Sequence, residues 1–187
     1  VRYLTNRSTG RMGYAIAQAL AERGAQVTLI SGPTQLAAPE GIKRVDVVSA
    51  ADMLAAIEAR FDDCDGLIMA AAPADFTPRE AAEHKLKKSG APLSLELVPT
   101  ADILKTLLPR KQRQIVAGFA AETRDWDENA RKKLNEKGLD LIACNDVTRS
   151  DAGFAADTNQ LTLHWPDGRR EDGPLLPKLE AAHWLLD

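Results

Sequence analysis

Three short, mostly apolar runs constrain this chain more than any other feature: Gly66-Leu-Ile-Met-Ala-Ala71, Gln114-Ile-Val-Ala-Gly-Phe119 and Leu139-Asp-Leu-Ile-Ala-Cys144. Each has the length of one strand and too little polarity for a solvated face, as strands covered on both sides require. Segments of helical period separate them. Met12, Ile16, Ala19 and Leu20 predict a helix over Gly10 to Arg23, and Gly24 stops it. Val27-Thr-Leu-Ile30 reads as a buried strand ended by Ser31-Gly-Pro33. Ser49 with Asp52 forms a capping box for a helix with Met53, Leu54 and Ile57 inward. Gly66 to Ala71 is expected as a central strand. Leu93 to Val98 alternates like a strand, Thr100 is a candidate cap for a helix through Leu108, and a lysine-rich helix is expected from about Glu128 to Lys137. This alternation predicts an α/β fold: a mostly parallel sheet with helices on both faces and ligands at the carboxyl ends of its strands. The tail departs from it. Leu161 to Trp165 followed by Pro-Asp-Gly-Arg predicts a C-terminal antiparallel hairpin, and Leu175 to Leu186 a closing helix with Leu176, Leu179 and Trp184 inward.

At 187 residues the chain suits one domain, 1–187. A net charge of -3 gives no global attraction to nucleic acid or an anionic membrane, so an anionic ligand needs a local cluster of donors. Cys64 and Cys144 lie outside any paired-ligand spacing, which fits a reduced compartment and argues against structural zinc. No stretch approaches the roughly 18 apolar residues of a spanning helix, and no signal-peptide pattern precedes the fold, so the cytoplasm is the expected location. The chain starts at Val1, which suggests a domain cut from longer sequence.

Several constellations suit a nucleotide ligand. Asn6-Arg-Ser-Thr-Gly10-Arg-Met-Gly13 puts small residues and hydroxyls, Ser8 and Gly10 among them, at a helix start where free N–H groups favour phosphate; an ordinary Ser/Thr cap is the plainer reading. It is neither a Walker A loop nor a complete GxGxxG fingerprint. Ala70-Ala-Ala-Pro-Ala-Asp75 follows a buried strand and offers one carboxylate, for a ribose hydroxyl, for metal-bound water or for its own turn. Lys85-Leu-Lys-Lys88 is either a cationic flap for a phosphate chain or a solvated loop. Lys133 and Lys137 share a helix face, where an anion between them, Glu136 for instance, would offset their repulsion. Phe119 is a plausible wall for a base and equally a core residue. None of the three histidines has a partner at ligand spacing, and no GxSxG nucleophile motif appears.

In order along the chain, Val1-Arg-Tyr-Leu-Thr-Asn6, Ser8 to Gly13, Ser31-Gly-Pro33, Lys43-Arg-Val-Asp46, Ala71 to Asp75, Lys85 to Lys88, Gly118 to Thr123 and Asn145-Asp-Val147 resemble the phosphopantothenoylcysteine synthetase family, the C-terminal half of a bifunctional coenzyme A biosynthesis protein. The resemblance implies a Rossmann-like scaffold and a phosphopantothenate–cysteine ligase. CTP with Mg²⁺ would activate the carboxylate of 4'-phosphopantothenate as an acyl-cytidylate, and cysteine would displace CMP. It places the nucleotide beside Ser8, Gly10, Met69, Ala70, Ala71, Asp75, Lys85, Pro99, Thr100, Ala101, Asp102, Phe119, Lys133 and Lys137. Arg2, Asn6 and Ala72 would serve phosphopantothenate and the acyl intermediate, with Asn6 and Lys85 catalytic. No protein metal cage is implied beyond Mg²⁺ on the triphosphate, near Asp75. A homodimer is implied, as is fusion to or association with a flavin-dependent decarboxylase domain. Two departures stand out: Ser8-Thr-Gly10 where the family has Ser-Ser-Gly, and Pro99-Thr-Ala-Asp102 where it has Lys-Asn-Pro-Asp. The family's opening strand would lie upstream of Val1, so this chain would lack a central strand.

Two rivals share the alternating pattern. A short-chain NAD(P)-dependent dehydrogenase needs a Tyr-x-x-x-Lys pair, and neither Tyr3 nor Tyr14 has a lysine four residues on. A non-catalytic nucleotide-binding module would bind CTP without releasing pyrophosphate.

Overall fold

The computed structural model describes residues 4–82, 84–87, 90, 92–122, 126–146 and 156–187. Its centre is a five-stranded sheet ordered β10 (Arg170–Asp172), β9 (Leu161–His164), β7 (Leu141–Asp146), β6 (Ile115–Glu122), β3 (Gly66–Met69). The β3–β6 and β6–β7 pairs are parallel, and the β9–β10 hairpin joins β7 antiparallel. β1 (Thr28–Ser31) and β2 (Lys43–Asp46) form a separate parallel pair. The expected mixed architecture is present: a mainly parallel α/β sheet with a C-terminal antiparallel hairpin. Gly66 to Met69, however, is bonded on one side only, to β6, rather than lying centrally among the described residues.

Strand pleating divides the core into two halves. On β7, Ile142 and Cys144 face one side and pack with Met53, Ile57 and Phe61 of α2 (Ala50–Phe61), Leu104 and Leu107 of α3 (Ile103–Leu107), and Ala130 and Leu134 of α4 (Trp126–Lys137). Leu141 and Ala143 face the other side, against Ile16 and Ala19 of α1 (Arg11–Glu22) and Ala182 and Leu185 of α5 (Lys178–Leu186). Phe61 is 1% exposed, and burying such a side chain stabilises by about 1.5–3 kcal/mol. Ser49 and Asp52 close the expected capping box on α2.

Three boundaries differ from expectation for local reasons. Only Leu97–Pro99 of the alternating Leu93 to Val98 run forms a strand, β5, paired with β4 (Phe76–Pro78); Leu93 and Leu95 stay exposed because no layer covers them. α3 is capped by Asp102, whose carboxylate accepts from Lys105 N, while the Thr100 hydroxyl donates to Ala74 O instead. Leu176–Pro177 pairs as β11 with β8 (Thr158–Asn159), so α5 begins only after Pro177. Its inward residues are Ala181, Ala182 and Leu185, with Leu179 and Trp184 half-buried and packed beside them.

Lys178, the first residue of α5, is 8% exposed, and its ammonium donates to the carbonyls of Ala156 and Thr158. Cys144 is fully buried in β7. Cys64 is half-buried, its Sγ donates to Phe61 O at 3.3 Å, and burial pushes its thiol above the ordinary value.

Candidate functional site

The candidate site is assembled where β3 ends. α1 passes beside that end: a Cβ at Gly13 would stand in ordinary van der Waals contact, 3.8 Å, with Ala70 Cβ. Across the β3–β6 pair Met69 sits opposite Gly118, and the half-buried Phe119 follows, packed with the α1/α5 half of the core. Asn6 Nδ2 donates to Pro73 O at 3.0 Å and to Ala72 O at 3.3 Å. Both neighbours are carbonyl oxygens, so the amide nitrogen must face them. From Ala74 and Asp75 the chain is tied to the next segment: Thr100 Oγ1 donates to Ala74 O at 2.7 Å and Thr100 N to Asp75 O at 2.9 Å. Asp102 then reaches Lys137 Nζ at 3.0 Å.

One chain of polar contacts thus runs from Asn6 through Ala72 to Asp75, then Pro99 to Asp102, and on to α4. It joins residues separated by up to about 130 positions in sequence. The Asp75 side chain and Ala71 are exposed beside it.

The start of α1 differs from the expected hydroxyl cap. Gly10 is the N-cap, at φ 75°, a conformation glycine adopts without strain, and it makes no side-chain cap bond. Ser8 N donates to Asn6 O at 3.0 Å. The first turn carries no acidic residue and begins with Arg11, which pairs with Asp157. The positive end of the helix dipole therefore faces no acidic neighbour in its own first turn, an arrangement that suits an anionic group.

The lysines are partnered differently than their spacing suggests. Glu136 pairs with Lys105 at 3.1 Å and Lys132 at 3.9 Å, and the Lys137 charge also acts on it. Lys137 is turned to Asp102 across the α3–α4 junction, and Lys133 is half-buried on the same helix. Burial pushes the Asp102 carboxyl upward, but the Lys105 N–H and the Lys137 ammonium outweigh it and hold the group below its ordinary value. Lys85 is exposed and makes no hydrogen bond or ion pair with the other candidates among the described residues. Arg2, Lys88, Thr123 and Val147 lie outside the described residues. Among those described, no three His, Cys, Asp or Glu side chains converge as metal ligands.

A second polar cluster escaped sequence reasoning. His164 on β9 is 3% exposed, and its Nε2 lies 3.6 Å from Asp127 Oδ1 in the first turn of α4, with no hydrogen-bond partner. Arg170 on β10 pairs with Asp127 and with Asp172, both at 2.9 Å, and Asp172 accepts from the Thr162 hydroxyl. Burial pushes the His164 imidazole below its ordinary value, against the opposing pull of Asp127. Only the hairpin register, Arg170 opposite His164, brings these residues together, and spacing in the sequence does not report it.

Residues 1–187 match the family described as the DNA/pantothenate metabolism flavoprotein C-terminal domain. The chain is 49% identical over 187 residues to the coenzyme A biosynthesis bifunctional protein CoaBC of Bacillus subtilis, covering all of this chain and 46% of that protein. It is 45% identical over 191 residues to the CoaBC protein of Escherichia coli K12, covering all of this chain and 47% of that one. The chain therefore spans about half the length of these relatives. A crystal structure of the C-terminal domain of a CoaBC protein superposes with a TM-score of 0.84 at 42% identity, over 100% of this chain and 85% of the other.

Proposed function

The chain belongs to the DNA/pantothenate metabolism flavoprotein C-terminal domain family, and from that premise we propose that it is a ligase of coenzyme A biosynthesis, joining 4'-phosphopantothenate to L-cysteine with CTP as co-substrate. The observation that carries this reading is the contact chain from Asn6 through Ala72 to Asp75, Thr100, Asp102 and Lys137. It supports two adjoining subsites, an acyl subsite at Asn6 and Ala72, and a nucleotide subsite along Met69 to Ala71, Asp75, Pro99 to Asp102, Phe119, Lys133 and Lys137; the resemblance adds Arg2 to the first.

In the first step a carboxylate oxygen of phosphopantothenate attacks the α-phosphorus; the new O–P bond forms as the bond to pyrophosphate breaks. In the second the cysteine amine attacks the acyl carbon, the C–N bond forms, CMP leaves and the nitrogen loses a proton. Bringing two anions together is the main electrostatic obstacle. The start of α1 at Gly10 with Ser8, the cation of Lys85, and Lys133 and Lys137 are the groups that would offset it. Mg²⁺ would come bound to the triphosphate, the usual mode for an ion that keeps several waters, with Asp75 as the carboxylate nearest at hand for one of those waters. Asn6 fixes the path of residues 72–73 and orients the acyl group beside them. An aspartate there would set a carboxylate against two carbonyl oxygens.

The protein acts in the cytoplasm as a homodimer. Phe76, Leu93, Leu95 and Leu97, between 42% and 69% exposed around the β4–β5 pair, form the apolar surface that a second copy would cover. No helix among the described residues is long and apolar enough to cross a membrane.

Pyrophosphate release with Mg²⁺, CTP or ATP, and 4'-phosphopantothenate, with and without cysteine, tests the reading. Release that requires phosphopantothenate and precedes cysteine addition is expected; absence of release with either nucleotide sinks the proposal. Asn6→Asp is expected to release pyrophosphate yet stall before the amide, and Lys85→Gln to suppress release itself.

A further inference from the structure

Helix α4 is held at both ends. Its last turn meets α3 through Lys137 and Asp102 at 3.0 Å and through Glu136 and Lys105 at 3.1 Å. Its first turn meets the β9–β10 hairpin through Asp127, which takes Arg170 at 2.9 Å and faces His164 Nε2 at 3.6 Å. Asp127 and Lys137 are ten positions apart, about 15 Å along a helix. Hydrogen-bonded over three turns, such a helix moves as a rod, so a shift of the first turn is delivered to the last.

The hairpin end carries a cost. His164 shares its face of β9 with Thr162, while Leu161 and Leu163 face the α1/α5 half of the core. Its buried imidazole nitrogen stands without a hydrogen bond, and buried polar groups in that condition call for a reason. The charged groups facing it are Asp127 and Arg131 from α4 and Arg170 and Asp172 from β10, so Asp127 lies among cations from two elements.

We propose that His164 and Arg170 are positioning residues for the nucleotide: by fixing Asp127 at the first turn of α4 they set where its last turn places Lys137. This rests on the ligase reading, in which Lys137 contacts the nucleotide. Asp102 is the counter-ion that holds Lys137 until the triphosphate arrives.

The test compares the wild-type protein with Arg170→Ala, Arg170→Lys and His164→Gln, measuring pyrophosphate release at varied Mg²⁺–CTP and at varied phosphopantothenate, with melting temperature recorded alongside. Arg170→Ala is expected to raise the nucleotide KM about five- to tenfold, the scale of one weakened charge-assisted contact, with kcat and the phosphopantothenate KM within about twofold. Arg170→Lys should recover most of the loss, and His164→Gln should shift the same KM in the same direction. An unchanged nucleotide KM, or a fall in melting temperature with both KM values and kcat moving together, overturns the proposal. Should Arg170→Ala not fold, His164→Gln decides by the same criteria. A wild type that releases no pyrophosphate defeats the ligase reading instead; calorimetric Mg²⁺–CTP binding to the same proteins then decides the role of the anchor, and equal affinities, or no binding at all, overturn it.

Discussion

Replacing Asp102 separates two roles that one carboxylate performs. One oxygen accepts from Lys105 N at 3.2 Å and caps α3; the other pairs with Lys137 at 3.0 Å, with the two side chains 37% and 25% exposed. Losing an N-cap costs about 1 kcal/mol, and a partly exposed ion pair contributes roughly 0.5 kcal/mol. Asp102→Ala removes both and should cost about 1.5 kcal/mol, whereas Asp102→Asn keeps the cap and should cost only about 0.5 kcal/mol. For a chain of 187 residues, with about 2–4 °C per kcal/mol, melting temperatures should fall by about 3–6 °C and 1–2 °C respectively. Lys137→Met should match Asp102→Asn, and the double variant Asp102→Asn/Lys137→Met should cost no more than either single change. The carboxyl is held below its ordinary value in the folded protein, so its contribution is present above the unfolded value near 3.8 and is lost as pH falls through the folded one. Thermal unfolding at pH 7 and pH 3 reads all of this. If Asp102→Asn is as damaging as Asp102→Ala at pH 7, the cap is not what Asp102 supplies and the reasoning fails.

Two further outcomes follow from the same structure. Because burial lowers the folded-state pKa of His164, the unfolded chain takes up its proton first, and stability should decline as pH falls below about 6.5. His164→Gln should flatten that part of a stability–pH profile measured by denaturant titration, and an unaltered slope would show that another group is responsible. At Gly173 a Cβ would stand 2.7 Å from the Trp184 ring and 2.9 Å from Leu161 O, so Gly173→Ala should cost about 1–3 kcal/mol by overpacking. A melting temperature equal to wild type would contradict that close approach.

The layered α/β plan was legible because local signals agreed with it: the 3.6 period of Met12, Ile16 and Ala19, the Ser49–Asp52 box, and the apolar runs that became β3, β6 and β7. Leu93 to Val98 misled because alternation records what a face resembles and not whether a layer covers it. Thr100 and Asp102 are both good caps by type, and the choice fell to Asp102 because Ala74 O, 26 residues upstream, takes the Thr100 hydroxyl. The partners of Lys137 and His164 were illegible for a related reason. Helical spacing reports neighbours on one helix, whereas Asp102 and Arg170 arrive from other elements.

The burial of Cys144 and the raised thiol of Cys64 bear on chemical selectivity. In the proposed reaction cysteine is a substrate, and its oxidised, disulfide-linked form would meet the protein as well. Exchange with a disulfide requires an accessible thiolate. Cys144 is buried within the sheet and burial pushes the Cys64 thiol above its ordinary value, so both are poor partners for exchange with the disulfide-linked form of the proposed substrate.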